Sequence, residues 1–573
     1  MKNREIAGMF EQIADILELL GENTFKVASY RKASRVVGDL TEDVAALAEQ
    51  GKLRGLPGVG ESIAGKIEEY LKTGTMARYQ ELAAEVPSGV VEMMHVPNLG
   101  PKTAGLFWKK AGVTSIAALA KAIEEGRLVG LPGMGEKKVE NIKKGLQTYL
   151  AGQSRILLGT ALPIAEEIAA KLAKLKGVRE VLPAGSLRRR RETIGDIDIL
   201  VSSTRGKEIV AAFVQLPQVR EVLAAGETKG SARVEGGLQV DVRVVPSESF
   251  GAAALYFTGS KAHNIRVREH AINQKLKLNE YGLFRGEKRI AGKTEQEVYD
   301  VLGLAWMPPE IREDRGEVEA ALEGKIPRLI ELDDIRCDLQ MHSTASDGGA
   351  SIEDMARMCQ ELGYSHMCIS DHSQSLKVAH GLTPERLAEQ RKEVDALNKK
   401  LKGFRVLAGV EVDILGEGKL DLPDRVLAEL DFVIASIHTG MGQDAATITK
   451  RLTTAMRSPH VDAIAHPTGR VIGQREPYAV DFDEVVRVAK ETGTALEINA
   501  YPERLDLDDV HARAARDAGV KLVINTDAHA PDQLRFLRFG VFTARRGWVR
   551  KEDVLNTLPL DEFLAWTRKK ERS

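Results

Sequence analysis

Gly185-Ser186-Leu187-Arg188-Arg189-Arg190-Arg191-Glu192-Thr193-Ile194-Gly195-Asp196-Ile197-Asp198-Ile199-Leu200 is the stretch on which the first half of this 573-residue chain turns. Asp196 and Asp198 stand two apart in an apolar run. On a strand both carboxylates leave one face, while Ile197 and Ile199 pack behind them. Like charges held so close repel, and a divalent cation offsets that cost. Asp241, in Gln239-Val240-Asp241-Val242-Arg243, lies on a second β-run and completes a set of three. Three carboxylates around two cations suit in-line phosphoryl transfer. Gly185 and Ser186 add a close backbone approach and a hydroxyl for phosphate oxygens, and Arg189 adds positive charge.

Outward from that stretch the composition is that of a globular protein, 43% hydrophobic and 29% charged, which excludes disordered and collagen-like chains. Neither a long apolar run nor a signal-type start occurs, so a cytoplasmic protein without membrane spans is expected. Cys337, Cys359 and Cys368 lack CxxC spacing and suit a reducing compartment. The net charge of -2 hides an asymmetry. Residues 1–150 carry 20 basic against 19 acidic side chains, and residues 151–320 carry 26 against 23. The remainder, 35 against 41, is acidic, where carboxylates would hold metals. Nucleic-acid binding must then come from local patches and backbone donors.

Residues 1–150 read as all-helical, punctuated by Leu56-Pro57-Gly58-Val59-Gly60, Val96-Pro97-Asn98-Leu99-Gly100 and Leu131-Pro132-Gly133-Met134-Gly135. Three copies of one small unit at similar spacing predict helix–hairpin–helix elements. Gly58, Gly60, Gly100, Gly133 and Gly135 would let backbone N–H groups approach DNA phosphates. The pattern then mixes: a helix over Pro163–Lys176, β-runs at Asp196–Ser202 and Gly237–Val245, further helices after Ser260, and a Pro-rich, charged stretch over Pro308–Asp334 that reads as linker.

Beyond it, seven apolar strand-like runs alternate with helical segments: Cys337–Met341, His366–Ser370, Arg405–Val412, Phe432–Ile437, Ala463–Ala465, Ala495–Ile498 and Lys521–Asn525. Metal-ligand residue types gather where each run ends: Gln340, His342 and Asp347; Asp371 and His372; Glu411 and Asp413; His438; His466; Glu497 and Asn499; Asp527 and His529. A parallel α/β barrel would bring them together at the C-terminal ends of its strands. Mixed N/O ligands suit Zn2+, Mn2+ or Fe2+ without choosing among them.

The Gly-Ser-x-x-Arg…Asp-x-Asp pattern resembles the nucleotidyltransferase fold, and Tyr256-Phe257-Thr258-Gly259-Ser260 with Asn264 and Arg268 resembles the thumb-side motif of family X DNA polymerases. The resemblance implies that Tyr256 and Phe257 bound the nucleotide sugar, that Gly259 belongs to the nucleotide-binding set, that Asn264 reads the nucleotide's minor-groove edge and that Arg268 touches the template. It implies Mg2+ or Mn2+ at the three aspartates, with gapped or primed DNA and dNTPs as substrates. Phe25–Ala33 with Lys66, six residues after Gly60, resembles the family's small lyase domain and implies a Schiff-base role for Lys66. Ser62, however, stands where that family has a second lysine. The barrel ligands resemble those of the PHP superfamily, implying a trinuclear centre. One site would use His342, Glu411 and Asp527, a second Glu411, His438 and His466, a third His372, His529 and Asp347. Gln340 replaces the first histidine of His-x-His. The whole chain resembles bacterial PolX proteins, family X polymerases fused to a PHP domain.

The expected order is a helix–hairpin–helix, lyase-like region over 1–85, a second hairpin region over 86–150, an α+β palm over 151–247, a thumb over 248–315, a linker over 316–334 and a distorted (β/α)7 PHP barrel over 335–573. The expected function is monomeric gap-filling DNA repair with 3′–5′ exonuclease or phosphoesterase activity, extending to abasic-site cleavage. Rival readings are a phosphoesterase with a DNA-docking half, an end-bridging scaffold and a template-independent RNA nucleotidyltransferase.

Overall fold

The computed structural model describes residues 2–38, 40, 43–56, 58–94, 96, 98–151 and 155–569. Pro57 and Pro97, the prolines of the first two hairpins, lie outside them. The chain divides into two compact units, Met1–Ser154 and Arg155–Ser573.

The first unit is helical. Phe10, Ile13 and Leu17 of the helix Lys2–Leu20 are fully buried against residues of later helices such as Ile67, Phe107 and Ile142. The three repeats adopt one geometry. Val59, Leu99 and Met134 donate their N–H groups to the carbonyls of Leu56, Val96 and Leu131 at 3.0, 3.0 and 2.8 Å. Gly58, Asn98 and Gly133 each take a left-handed φ, of +83, +68 and +73°. A turn with that third residue favours Gly or Asn there. Helices Glu61–Thr73 and Pro101–Ala111 follow, with Gly60 and Gly100 as N-caps that offer no side-chain acceptor. Ile63 and Thr103 N–H groups turn back to the Gly60 and Gly100 carbonyls at 3.0 and 2.9 Å, so the N–H groups of Glu61, Ser62 and Lys102 before them are the ones without an intrahelical acceptor.

The second unit holds a five-stranded sheet in the spatial order Glu180–Pro183, Asp196–Ser202, Gln239–Val245, Lys229–Val234, Val219–Ala225. Asp196–Ser202 and Gln239–Val245 run parallel, and the other pairs are antiparallel. Alternation decides the faces. Ile197, Ile199, Val201, Val240, Val242 and Val244 join one core with helix Leu158–Ala173, and the aspartates take the opposite face. That helix starts five residues before the expected Pro163, because Leu158, Ala161 and Leu162 are apolar and buried on the sheet. Pro163 is accommodated inside it. Helices Phe250–Thr258, Lys261–Asn273 and Glu295–Val301 surround a small antiparallel sheet with its own core.

The stretch read as linker is not an open tether. Arg312 and Glu317 are fully buried, Val318 and Ala321 of helix Glu317–Leu322 join the preceding core, and Leu329 packs with Trp548. Proline and charge density read as a linker, but its buried charges have partners: Arg312 binds Glu295 at 2.6 Å, and Glu317 accepts from the N–H groups of Asp314 and Arg315 at 2.8 and 2.7 Å.

Seven parallel strands follow, each paired with the next in chain order: Cys337–Asp338, His366–Ile369, Arg405–Asp413, Phe432–Ser436, Ala463–Ile464, Ala495–Asn499 and Leu522–Asn525. The first and last approach each other through the Met341–Ala528 bridge, with His342 N–H donating to the Ala528 carbonyl at 2.8 Å, so the barrel is nearly closed. Leu339, Cys368, Leu407, Phe432 and Phe563 belong to one core cluster. The three cysteines are buried free thiols. Among the described residues no helix is long and apolar enough to cross a membrane.

Two candidate metal centres

Asp198 and Asp241 are register partners on adjacent parallel strands, and Asp196 is two residues back on the same face. Burial and the charges of Asp196 and Asp241 push the Asp198 carboxyl up to about 7. Burial and Asp241 raise Asp196 as well. Burial and mutual repulsion here outweigh the nearby cations Lys229, Arg155 and Arg243, and three oxygen donors suit Mg2+ or Mn2+. Lys229 approaches Asp241 at 3.1 Å and Gln239 donates to it at 3.0 Å, fixing the third carboxylate.

Gly185 takes φ +62°, and a Cβ there would lie 2.7 Å from Asp198 Oδ2. The glycine therefore serves both the turn and the space beside the aspartate. It opens a cavity of about 820 Å³ whose walls include Ser186, Arg189, Asp196 and Asp198 on the sheet side. Tyr256, Phe257, Gly259, Asn264 and Arg268 face them from the helical side. Tyr256 and Phe257 meet edge-on at 5.0 Å, and the Arg243 guanidinium lies 4.5 Å over Phe257. Asn264 Nδ2 donates to the Tyr256 carbonyl at 2.7 Å, leaving its buried Oδ1 without a hydrogen-bond partner. Arg268 donates to the Asn264 carbonyl at 3.2 Å.

The arginine run is not a solvated loop. Arg188 binds Glu295 through two bonds of 2.8 and 2.7 Å. Arg189 donates to Glu313 at 3.1 Å and to the Thr258 carbonyl. Arg190 lies 4.3 Å over Phe542. Sequence reasoning missed Arg155, which lines the cavity and donates to Thr193 at 2.9 Å, and Glu313. Arg155 stands about forty residues upstream of the aspartates with no motif around it, so spacing carries no signal for it.

At the C-terminal ends of the barrel strands Glu411 is the hub. His342 and His372 approach its Oε2 at 3.4 and 3.3 Å, while His438 and His466 approach Oε1 at 3.3 and 3.1 Å. Asp527 lies 3.0 Å from His342. Asp347 lies 3.7 Å from His372 and 3.5 Å from His529. Three groups place ligand atoms within 4.8 Å of one another: His342, Glu411 and Asp527; His372, Glu411 and His438; and His342, Asp347, His372 and His529. The first is the expected set. In the second His372 stands where His466 was expected, and the third gains His342. His372 belongs to two groups because its two ring nitrogens face different carboxylates, Nδ1 toward Glu411 and Nε2 toward Asp347.

Behind the ligand atoms, Asp413 takes His438 Nδ1 at 2.6 Å and the Asp527 carbonyl takes His529 Nδ1 at 2.9 Å, which fixes both rings. Burial would push His438 down, but Glu411 and Asp413 hold it up at about 10. Gln340 is fully buried, and neither atom of its amide has a hydrogen-bond partner. The orphaned amide oxygen and the surrounding mixed N/O donor set fit bound transition metals.

Lys66 donates to the Ser62 hydroxyl and carbonyl at 2.9 and 3.1 Å and lies 5.9 Å from the Tyr30 ring centroid. Burial lowers its pKa, Glu69 raises it, and Arg78 and Lys26 lower it further, with a net fall. Ser62, standing where a second lysine was expected, is thus the acceptor that orients Lys66.

A carboxylate triad beside a nucleotide-sized cavity, carried on one chain with a histidine-rich barrel, defines a metal-dependent nucleotidyltransferase with a second metal centre. Residues 1–76 match the helix–hairpin–helix domain model and residues 90–148 the SAM-like helix–hairpin–helix tandem. Residues 253–313 match the DNA polymerase beta thumb and residues 338–501 the PHP domain. The chain is 42% identical over 574 residues to the DNA polymerase/3'-5' exonuclease PolX of Bacillus subtilis (strain 168), covering 99% of this chain and 100% of that protein. It is also 30% identical over 231 residues to a probable phosphatase of Thermoanaerobacter sp. (strain X514), covering 38% of this chain and 89% of that protein. A probable phosphatase of Acetivibrio thermocellus is 31% identical over 202 residues, 34% of this chain and 78% of that protein. The chain belongs to the PolX family of DNA polymerase/3′–5′ exonucleases.

Proposed function

We propose that the protein fills short gaps in DNA by template-directed nucleotide addition at Asp196, Asp198 and Asp241, and trims 3′ ends or removes 3′-blocking phosphates at the barrel, acting as a cytoplasmic monomer. The observation that carries the reading is the register pairing of Asp198 with Asp241 beside the cavity that Tyr256, Phe257 and Asn264 enclose. Asp196, Asp198 and Asp241 would hold Mg2+ or Mn2+, which would supply charge to activate a 3′-hydroxyl and steady pyrophosphate. The chain's own groups do the rest. Gly185 and Ser186 bring backbone and hydroxyl donors to phosphate oxygens, and Arg189 neutralises them. The Tyr256–Phe257 pair walls the sugar, and the free Asn264 Oδ1 is an acceptor for the base edge.

At the barrel, Glu411, Asp527 and the five histidines would hold Zn2+, Mn2+ or Fe2+, which would supply an activated water for phosphoester hydrolysis. Asp413 fixes the His438 ring for that purpose. Gln340 would add its amide oxygen, and Asp347 would join His372 and His529. The hairpin N–H groups and Arg268 hold DNA by its backbone, without reading sequence.

Primer extension on a gapped duplex, with and without dNTPs, together with metal analysis of the purified protein, tests both centres. Extension requiring Asp198 and trimming requiring His342 is the expected result. A protein that trims but never extends refutes the polymerase assignment. The lowered pKa of Lys66 and the Tyr30 ring beside it support a lyase role, for which borohydride trapping of a covalent adduct with abasic DNA is the test.

A further inference from the structure

The barrel helix Leu537–Arg546 is built into the palm. Its Phe539 is buried in the palm core, and its Phe542 underlies Arg190. At its last residue the Arg546 guanidinium is buried and divided between two sides. Nη2 donates to Asp509 Oδ2 at 2.6 Å, within the barrel. Nη1 donates to the Arg189 carbonyl at 2.8 Å and to Glu313 Oε1 at 3.0 Å. The same Glu313 oxygen accepts from Arg189 Nε at 3.1 Å. One carboxylate oxygen thus joins a barrel arginine to the palm arginine that lines the nucleotide cavity. Burial pushes the Glu313 carboxyl up, but Arg546 first, then Arg189 and Arg191, hold it below the ordinary carboxylate range.

We infer that Arg546 is a positioning residue for nucleotide addition: it shares Glu313 with Arg189 and so lowers the cost of releasing the Arg189 guanidinium to an incoming triphosphate. The physical reason is competition for one buried anion. With Arg546 present, Glu313 keeps a cationic partner when Arg189 turns toward phosphate. Without Arg546, that turn leaves a buried carboxylate with only Arg191, 3.9 Å away and more exposed. Arg189 is then held back. No contact between Arg546 and the substrate is involved. The inference rests on the polymerase reading above.

The test is steady-state addition of a single dNTP to a gapped duplex by the full chain. Arg546→Gln is expected to raise KM for dNTP about tenfold, the scale of one charge-assisted hydrogen bond. KM for DNA and the rate of 3′ trimming should stay within about twofold. Adding Glu313→Gln in the same chain removes the anion and should return KM toward wild type, which a merely structural role of Arg546 would not produce. Arg538→Gln, at the exposed Arg538–Glu166 pair of the same interface, should leave KM unchanged. Should Arg546→Gln fail to fold, Glu313→Gln alone still decides: KM for dNTP falls if Glu313 restrains Arg189, and a rise overturns the inference. An unchanged KM in Arg546→Gln, or no recovery in the double variant, also overturns it while leaving the polymerase reading intact. Wild-type protein that adds no nucleotide overturns that reading and this inference together.

Discussion

Replacing Gly185 by alanine separates what the fold needs from what the chemistry needs. At φ +62° an L-residue costs about 1–2 kcal/mol, which sets the stability loss. The added methyl also meets Asp198 Oδ2 at 2.7 Å, and ordinary contact begins near 3.4 Å. The carboxylate oxygen must therefore retreat by about 0.7 Å, a movement that is cheap for a side-chain tip but not for a metal ligand. Displacement of about 1 Å at a reacting centre costs roughly a hundredfold in rate. Gly185→Ala should thus lower single-turnover dNTP incorporation by about two orders of magnitude. The urea midpoint should move only by the equivalent of that small strain, and trimming at the barrel should continue. Incorporation at the wild-type rate would show that Asp198 tolerates the shift, and the geometric argument for the glycine would be wrong. A parallel collapse of stability and trimming would equally refute it.

The remaining expectations follow from the same geometry. Asp198→Ala should abolish nucleotide addition and leave trimming, whereas His342→Ala or Asp527→Ala should do the reverse, as read by extension and degradation of a labelled primer. Glu295 is held down at about 2 because Arg312 and Arg188 outweigh the upward push of burial. Its folded pKa lies below the unfolded value near 4.5, so its contribution of about 3 kcal/mol is complete above pH 4.5 and disappears as pH falls through 2. Glu295→Gln should cost about that much at pH 7, and the gap between variant and wild type in urea midpoint should close across that window. Gly133→Val forces a branched side chain onto φ +73° in an exposed hairpin. It should weaken gapped-duplex binding about tenfold, by the same factor for unrelated sequences, as measured by fluorescence anisotropy.

The parts of this fold that were legible in the sequence are those set by local patterning. Asp196–Ser202 begins and ends where the alternation of aspartate and isoleucine predicted, and six of the seven barrel runs lie within two residues of the observed strands. The exception is instructive. Apolar character predicted a first strand reaching Met341, but the ladder stops at Asp338. Beyond it Met341 N–H turns to the Ser370 hydroxyl at 3.1 Å and the chain closes on Ala528 instead. The candidate ligands were recognisable by residue type at strand ends, yet their partition was not. His438 and His466 share Oε1 of Glu411 while His372 faces Oε2, yet it is His372 whose ligand atom falls within reach of both Glu411 and His438, a convergence that emerges only when seven strands meet. The Arg546–Glu313–Arg189 junction was invisible for a related reason. Its members are separated by hundreds of residues and carry no motif, and a string of arginines in sequence looks the same whether water or Glu295 and Phe542 surround it.

Phe539 and Leu505 of the barrel, each no more than 3% exposed, belong to the palm's own apolar cluster. Cutting the chain between the two would strip both of cover, so the catalytic halves are unsuited to life as separate proteins or as exchangeable cassettes. The same seam also fixes how far apart the aspartate triad and the Glu411 cluster stand. A DNA end used at both would have to cross that interval itself, since neither workshop can be carried to it on a loose arm.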